Sequence, residues 1–209
     1  RYAERLMGYT KNELEGQPFS HVIAFDSLFD EKICNPLDEL SSGEQKHFQH
    51  ETRLICKDGS TRDVAWLHSH LSHKSSDDPA ILSVGLDITA RKQAEKRISW
   101  LADHDPLTSL YNRRRFQREV NRVVNHAQRY NHNGALLFLD LDHFKYINDT
   151  LGHKIGDILL KTISNELRKL LRGSDIIARF GGDEFAILMP EIERSDVVAV
   201  AAKINSQLK

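Results

Sequence analysis

Two units of α+β or α/β class joined by a single helix form the fold that this 209-residue sequence predicts. Three observations lead there. Beyond residue 104, segments of helical period alternate with short apolar runs at 135–140, 175–180 and 185–189, the pattern of helices layered on one sheet. Before residue 88, two alternating runs, Phe48 to Cys56 and Thr61 to Leu71, flank Lys57-Asp58-Gly59-Ser60, and Asp-Gly between alternating runs is a strong hairpin signal. Between the units, Ala90, Ala94, Ile98 and Leu101 recur at spacings of four, four and three, with Arg91, Lys92, Glu95, Lys96 and Arg97 off the stripe. The expected division is therefore 1–88, a linker helix over 89–103, and 104–209.

In the first unit, a short helix from Glu4 is stopped by Gly8. Thr10 then has the chemistry of an N-cap, with Glu13 completing a capping box and Gly16 ending the turn. Lys74 to Pro79 reads as a loop and Ala80 to Asp87 as a third strand. His47, His50, His68, His70 and His73 crowd this half. His68 and His70 fall on one face of a strand, which leaves a haem or metal role for one of them open beside the plainer reading of histidines without a ligand. Cys34 and Cys56 lack metal-ligand spacing and are expected as free thiols. The linker stripe is narrow, close to the seam of a two-stranded parallel coiled coil, and packing on its own domain is the alternative.

In the second unit, a helix is expected from Arg113 to Arg129 with Phe116, Val120, Val123, Val124 and Ala127 inward, then a strand from Ala135 to Asp140. A second helix is expected from Gly156 to Leu171 with Leu159, Ile163, Leu167 and Leu170 on one face, and a last one from Asp196 to Leu208. The run Ala135-Leu136-Leu137-Phe138-Leu139 suits a strand buried on both faces, and it ends in Asp140-Leu141-Asp142. If the strand continues, Asp140 and Asp142 share a side. Carboxylates at the end of a buried strand are costly unless a cation relieves them, and hard oxygen ligands suit magnesium with substrate phosphates. A turn cap at Asp140 is the alternative. Arg179-Phe180-Gly181-Gly182-Asp183-Glu184-Phe185 reads as a hairpin whose glycines supply positive φ and leave no side chain over the turn, with Asp183 and Glu184 at its lip.

Charge is divided: residues 1–88 carry 9 Lys and Arg against 15 Asp and Glu, and residues 89–209 carry 20 against 15. A modestly basic second half suits a small polyanion such as a nucleotide, and there is no basic stripe with interleaved aromatics of the kind that binds a nucleic acid polymer. No run has the length of a transmembrane helix and no signal-peptide pattern is present, so a cytoplasmic location is expected, with an anchor elsewhere in a longer parent left open.

Four ordered motifs carry a resemblance. They are Asp105-Pro106-Leu107-Thr108-Ser109-Leu110-Tyr111-Asn112-Arg113, the segment from Leu139 to Asp149, Leu151-Gly152-His153-Lys154-Ile155-Gly156-Asp157, and the Gly181-Gly182-Asp183-Glu184-Phe185 hairpin. Together they resemble the GGDEF domain, the catalytic domain of diguanylate cyclases, whose fold is that of the nucleotidyl cyclases and polymerase palms. The resemblance implies condensation of two GTP into cyclic di-GMP and pyrophosphate at a dimer of domains. It implies magnesium, or manganese in its place, on Asp140, Asp183 and the Leu141 carbonyl, with Glu184 acting on the metal or the reacting ribose. Asn148 and Asp157 match the positions that recognise guanine, Phe144 and Lys145 those that touch the phosphates, and Gly181 and Gly182 those that let the hairpin approach the nucleotide. Arg172-Gly173-Ser174-Asp175 matches the Arg-x-x-Asp motif through which cyclic di-GMP, the product, acts as inhibitor. The alternative is a non-catalytic module that binds GTP or cyclic di-GMP. Residues 1–88 resemble part of a PAS sensor domain of unknown ligand, beginning inside it. The chain reaches Lys209 before further strands, helices and phosphate-gripping basic residues of the GGDEF family.

Overall fold

The computed structural model describes residues 2–17, 39–40, 45–71 and 80–208. It divides into two compact units, 1–96 and 97–209, with the division inside the linker helix. Cys34, His73 and the loop expected at Lys74 to Pro79 lie outside the described residues.

The first unit is a sheet of strands β1 (His47–Ile55), β2 (Thr61–Leu71) and β3 (Ala80–Asp87), antiparallel in the order β1-β2-β3. Helix α1 (Tyr2–Met7) ends at Gly8, whose φ of 78° is left-handed and where a Cβ would stand 3.2 Å from Lys57 Cβ. Helix α2 (Lys11–Leu14) opens with the Thr10 amide donating to Glu13 Oε2 at 2.9 Å, and Lys57 reaches the other Glu13 oxygen at 2.6 Å. The helices cover a core of Met7, Leu54 and Val64 with Leu6, Tyr9, Leu14 and Trp66 against it. Cys56 is a buried free thiol that donates to the Leu6 carbonyl.

The histidines of this sheet stack. Trp66, His68, His50 and Phe48 form a row of rings with successive centroids 5.9, 5.0 and 5.0 Å apart. His68 is fully buried with Nδ1 2.7 Å from Ser83 Oγ, and burial beside His68 pushes His50 down to about 4. His70 meets the Leu40 carbonyl and His47 meets Ser69. Among the described residues of this unit, no three metal-ligating groups converge.

Helix α3 (Thr89–Asp103) spans the expected linker, and its start is fixed by the Asp63 amide donating to Thr89 Oγ1 at 2.9 Å. The stripe faces solvent: Ile98 is 67% exposed and Leu101 39%.

In the second unit, helix α4 (Arg113–Tyr130), strand β4 (Gly134–Leu139), helices α5 (Phe144–Leu151) and α6 (His153–Leu170), strands β5 (Ile176–Gly181) and β6 (Glu184–Pro190), and helix α7 (Arg194–Gln207) follow in order. The sheet is antiparallel, β4-β6-β5, with β6 central. Alternation sorts its side chains. Phe185, Ile187 and Met189 join Phe144, Leu160, Ile163, Leu167 and Ile204 on the α5–α6–α7 side. Ala186 and Leu188 join Phe116 and Ala178 beneath α4. The central strand is thus enclosed on both faces, which its apolar run requires.

Five expectations need correction. Strand β4 is covered on one face only, with Leu136 43% and Phe138 66% exposed. Val124 is 45% exposed and lies off the inward face of α4. Helix α6 begins at His153, ahead of Gly156, and Leu160 is buried on its inward face with Ile163 and Leu167, where the expected Leu159 is only half-buried. Strand β4 stops at Leu139, so the period-two pairing of Asp140 with Asp142 loses its premise. Helix α5 was not expected: its Phe144, Ile147 and Leu151 have helical spacing, but eight residues give that period only two turns in which to show.

Because Ile187 is fully buried at the centre of the sheet, Ile187→Ala is expected to cost about 2–5 kcal/mol in urea unfolding, while Val124→Ala stays within about 0.5 kcal/mol.

Candidate functional site

The hairpin β5–β6 turns through Gly182 and Asp183, with a register shift between Arg179 and Gly181. Gly182 has φ 53°, and a Cβ at Gly181 or Gly182 would have nothing within 4 Å, so the space over the turn is open. One side chain fixes this turn. Arg179 donates from Nε and Nη2 to the Gly182 carbonyl at 3.0 and 2.7 Å, and from Nη1 to both Asp105 oxygens at 3.0 and 3.2 Å. Both partners are largely shielded, at 11% and 17% side-chain exposure, which makes the pair stronger than a surface ion pair. Asp105 Oδ1 also accepts from the Thr108 amide at 2.9 Å and its hydroxyl at 2.6 Å. The 105–112 loop is itself pinned along β5, where the Tyr111 amide donates to the Ile177 carbonyl and the Arg179 amide to the Tyr111 carbonyl.

Across the sheet, β4 ends beside the turn. Leu139 pairs with Phe185 as the last pair of the ladder, so Asp140 and Leu141 follow directly where β4 ends, beside the start of β6 at Glu184. Asp140 and Glu184 line one cavity of about 400 Å³ with Arg113, Phe138, Phe180 and Phe185. Both are exposed, and Asp183 is half-buried. The Arg113 guanidinium lies 5.6 Å over the Phe180 ring, and Phe180 packs edge-on against Phe138 and Phe116. Left-handed His143, φ 62°, reverses the chain into α5. There the Phe144 amide donates to the Leu141 carbonyl at 3.3 Å, a long bond that leaves that oxygen a second lone pair. The Phe144 ring is buried in the core, so it is the first-turn backbone of α5 that faces outward, while Lys145 is exposed.

Asn148, on α5, meets α6 at Gly156. A Cβ built on Gly156 would fall 2.0 Å from Asn148 Oδ1 and 3.3 Å from Phe144 Cζ. The glycine is therefore the seat of the Asn148 carboxamide and sets it beside the neighbouring, exposed Asp157. Arg172 and Asp175 lie at the opposite end of β5, roughly 20 Å from the turn along six residues of strand. They close a local turn, the Arg172 amide donating to Asp175 Oδ2 at 2.8 Å.

The site residues thus form three groups: Asp140, Leu141, Gly181, Gly182, Asp183 and Glu184 around the strand end and turn, Asn148 and Asp157 at the α5–α6 junction, and Arg172 with Asp175 apart. Sequence reasoning missed Arg179, Asp105, Gly156 and Arg113 as parts of the site. The available signals were an arginine inside an otherwise apolar strand and a glycine inside a helix.

The structure also anchors α3 within this unit. The Asn112 amide donates to the Asp103 carbonyl at 2.9 Å and its side chain to the Ala102 carbonyl at 3.0 Å, while Arg114, Arg115 and Arg118 all reach the Asp103 carboxylate.

The family model "Diguanylate cyclase, GGDEF domain" matches residues 102–209. The probable diguanylate cyclase DgcE of Escherichia coli is 31% identical over 208 residues, 98% of this chain and 18% of that protein. The diguanylate cyclase TpbB of Pseudomonas aeruginosa is 39% identical over 179 residues, 85% of this chain and 40% of that protein. The chain therefore spans well under half the length of either. The solved structure of the coiled coil and GGDEF domain of DgcB from Caulobacter crescentus, in complex with c-di-GMP, aligns with a TM-score of 0.52 at 30% identity, over 56% of this chain and 61% of that one.

Two outcomes follow from the geometry. Gly156→Ala is expected to displace Asn148 and raise the KM for a guanine nucleotide about tenfold, the scale of one or two lost hydrogen bonds. Its thermal midpoint is expected to fall, since the added Cβ also meets the buried Phe144 ring at 3.3 Å and overpacking of about 1–3 kcal/mol outweighs the helix preference for alanine. Burial raises the Asp105 carboxyl, but the Thr108 and Arg179 hydrogen bonds outweigh it and hold it below the usual carboxylate range. Its contribution to stability is complete above the unfolded value of about 3.9 and disappears as pH falls through the lower folded value. Asp105→Asn should remove that part of the acid limb in unfolding curves taken from pH 5 to pH 2.

Proposed function

The chain belongs to the GGDEF family through residues 102–209, and from that premise we propose that it is a diguanylate cyclase condensing two GTP into cyclic di-GMP. The observation that carries the proposal is the cavity where strand-end Asp140 and hairpin Glu184 stand together beside a turn with open space above it. A phosphate chain needs that combination: carboxylate oxygens for its cation and bare backbone for close approach.

Asp140, Asp183 and the Leu141 carbonyl are hard oxygen donors at the end of β4 and on the hairpin turn, a set that fits magnesium or manganese. Bound there with the triphosphate, the ion would neutralise charge on the phosphates. The chain's own groups do the rest. Asn148 and Asp157 take the guanine edge, the amide and the carboxylate together pairing with O6, N1–H and N2–H. The first-turn backbone of α5 at Phe144 and the Lys145 ammonium meet phosphate oxygens. Glu184 acts on the reacting ribose. The 3′-oxygen of one GTP bonds to the α-phosphorus of the other, the bond to pyrophosphate breaks, and repetition with the roles exchanged closes the ring and releases a second pyrophosphate.

Each domain holds one GTP, so two domains must face one another, and the exposed Ile98–Leu101 stripe supports a parallel pairing of α3 in a homodimer. The bonds from Asp103 and Ala102 to α4 and the 105–112 loop give that helix a mechanical connection to Arg179 and the turn. The first unit is proposed as the PAS-type sensor that drives it, and Arg172 with Asp175 as the inhibitory site for cyclic di-GMP.

Incubation with GTP and magnesium, beside an Asp183→Ala, Glu184→Ala variant, tests the proposal by chromatography of the nucleotides. Cyclic di-GMP and pyrophosphate are expected from the unaltered protein, with the variant slower by about a thousandfold or more. If neither forms product while the unaltered protein binds GTP or cyclic di-GMP, the chain is a regulatory binding module.

A further inference from the structure

At the end of β6 remote from the hairpin, His126, His132 and Glu191 bring their ligand atoms within 4.8 Å of one another. We propose that these three residues form a binding site for a divalent transition ion of the zinc class, separate from the nucleotide site.

Three features of the chain assemble the cluster. His126 lies on the last turns of α4. Asn131, left-handed at φ 53°, ends that helix and turns the chain so that the His132 amide donates to the Ala127 carbonyl at 3.1 Å, which brings His132 back beside His126. The pairing of Gly134 with Pro190 then fixes the neighbouring Glu191 on the same spot, reinforced by the Ile192 amide donating to the Asn133 carbonyl. Glu191 is itself left-handed, φ 52°, a conformation that disfavours a side chain other than glycine or asparagine. The backbone thus presents a carboxylate here against its local preference.

The distances suit a cation. Glu191 Oε1 is 3.2 Å from His132 Nδ1 and 3.9 Å from His126 Nδ1. Ligands on a tetrahedral ion with bonds of about 2.0–2.1 Å stand about 3.4 Å apart. Two imidazole nitrogens with one carboxylate select zinc, or cobalt, nickel and copper, over magnesium and calcium, which prefer all-oxygen shells. Tyr130 walls the site, its ring 4.6 Å from that of His126. The cluster opens on a cavity of about 330 Å³ where a fourth position is left for solvent or another ligand. The one guanidinium on that cavity, Arg122, is already paired with Glu119 at 2.8 Å. Strand β6 separates the cluster from Glu184 by about 20 Å, so the site is independent of the proposed magnesium donors.

Calorimetric titration of the whole protein with zinc chloride, beside His126→Ala, His132→Ala and Glu191→Gln, tests the proposal. One equivalent is expected to bind with a Kd of about micromolar, weakened at least tenfold in each variant. Cobalt should give visible absorption of tetrahedral intensity that each variant abolishes, and zinc should raise the thermal midpoint of the unaltered protein alone. Far-ultraviolet circular dichroism and unchanged GTP turnover without zinc would show the variants to be folded. Absence of zinc binding, or equal binding by the unaltered protein and all three variants, would overturn the proposal and reduce the cluster to a surface histidine–glutamate ion pair.

Discussion

A single guanidinium ties the turn of the proposed active site to the loop that follows α3. Arg179 sits two residues before the Gly181–Gly182 pair and folds back onto the Gly182 carbonyl and onto Asp105. Without it, nothing in the local sequence would choose one conformation for a turn built from two glycines. Asp105 in turn is held by Thr108 and by the loop that follows α3. The turn is open above and fixed from beneath, which is what the proposed nucleotide chemistry would require of it.

The sheet supplies the other constraint. Because β6 is covered on both faces, its register against β4 cannot slip by one residue without turning five core side chains to the wrong side. The ladder it fixes runs from Gly134 against Pro190 to Leu139 against Phe185, so the segments carrying Asp140 and Glu184 leave it at one end and those carrying His132 and Glu191 at the other. The Asn148–Gly156 seat uses a different device, a missing side chain, to fix the Asn148 carboxamide at the α5–α6 junction.

The parts legible in the sequence were those in which local pattern and final structure coincide. The 89–103 helix, the Asp58-Gly59 hairpin and the β5–β6 hairpin each follow from period and turn chemistry within a dozen residues. The motif residues Asp140, Asn148, Asp157, Asp183 and Glu184 could be named because they recur in a recognisable order. Their roles rest on that order, and the fold adds which of them share a cavity. What could not be read depended on contacts between distant segments. Arg179 and Asp105 are 74 residues apart, and nothing near either names the other. His126, His132 and Glu191 meet only through a strand register and two left-handed residues, Asn131 and Glu191, that no periodicity foretells. Val124 failed for a simpler reason: an inward stripe drawn one residue too wide.

The claim that the catalytic turn is held from Asp105 through Arg179 is tested most directly by a double-mutant cycle, Asp105→Ala with Arg179→Ala, read in both the rate of cyclic di-GMP formation and the unfolding free energy. The account predicts that each single change lowers the rate at least about tenfold and that the double variant is no slower than the worse single one, with a coupling of about 1–3 kcal/mol in stability. Effects that simply multiply, or a rate untouched by either change, would contradict it.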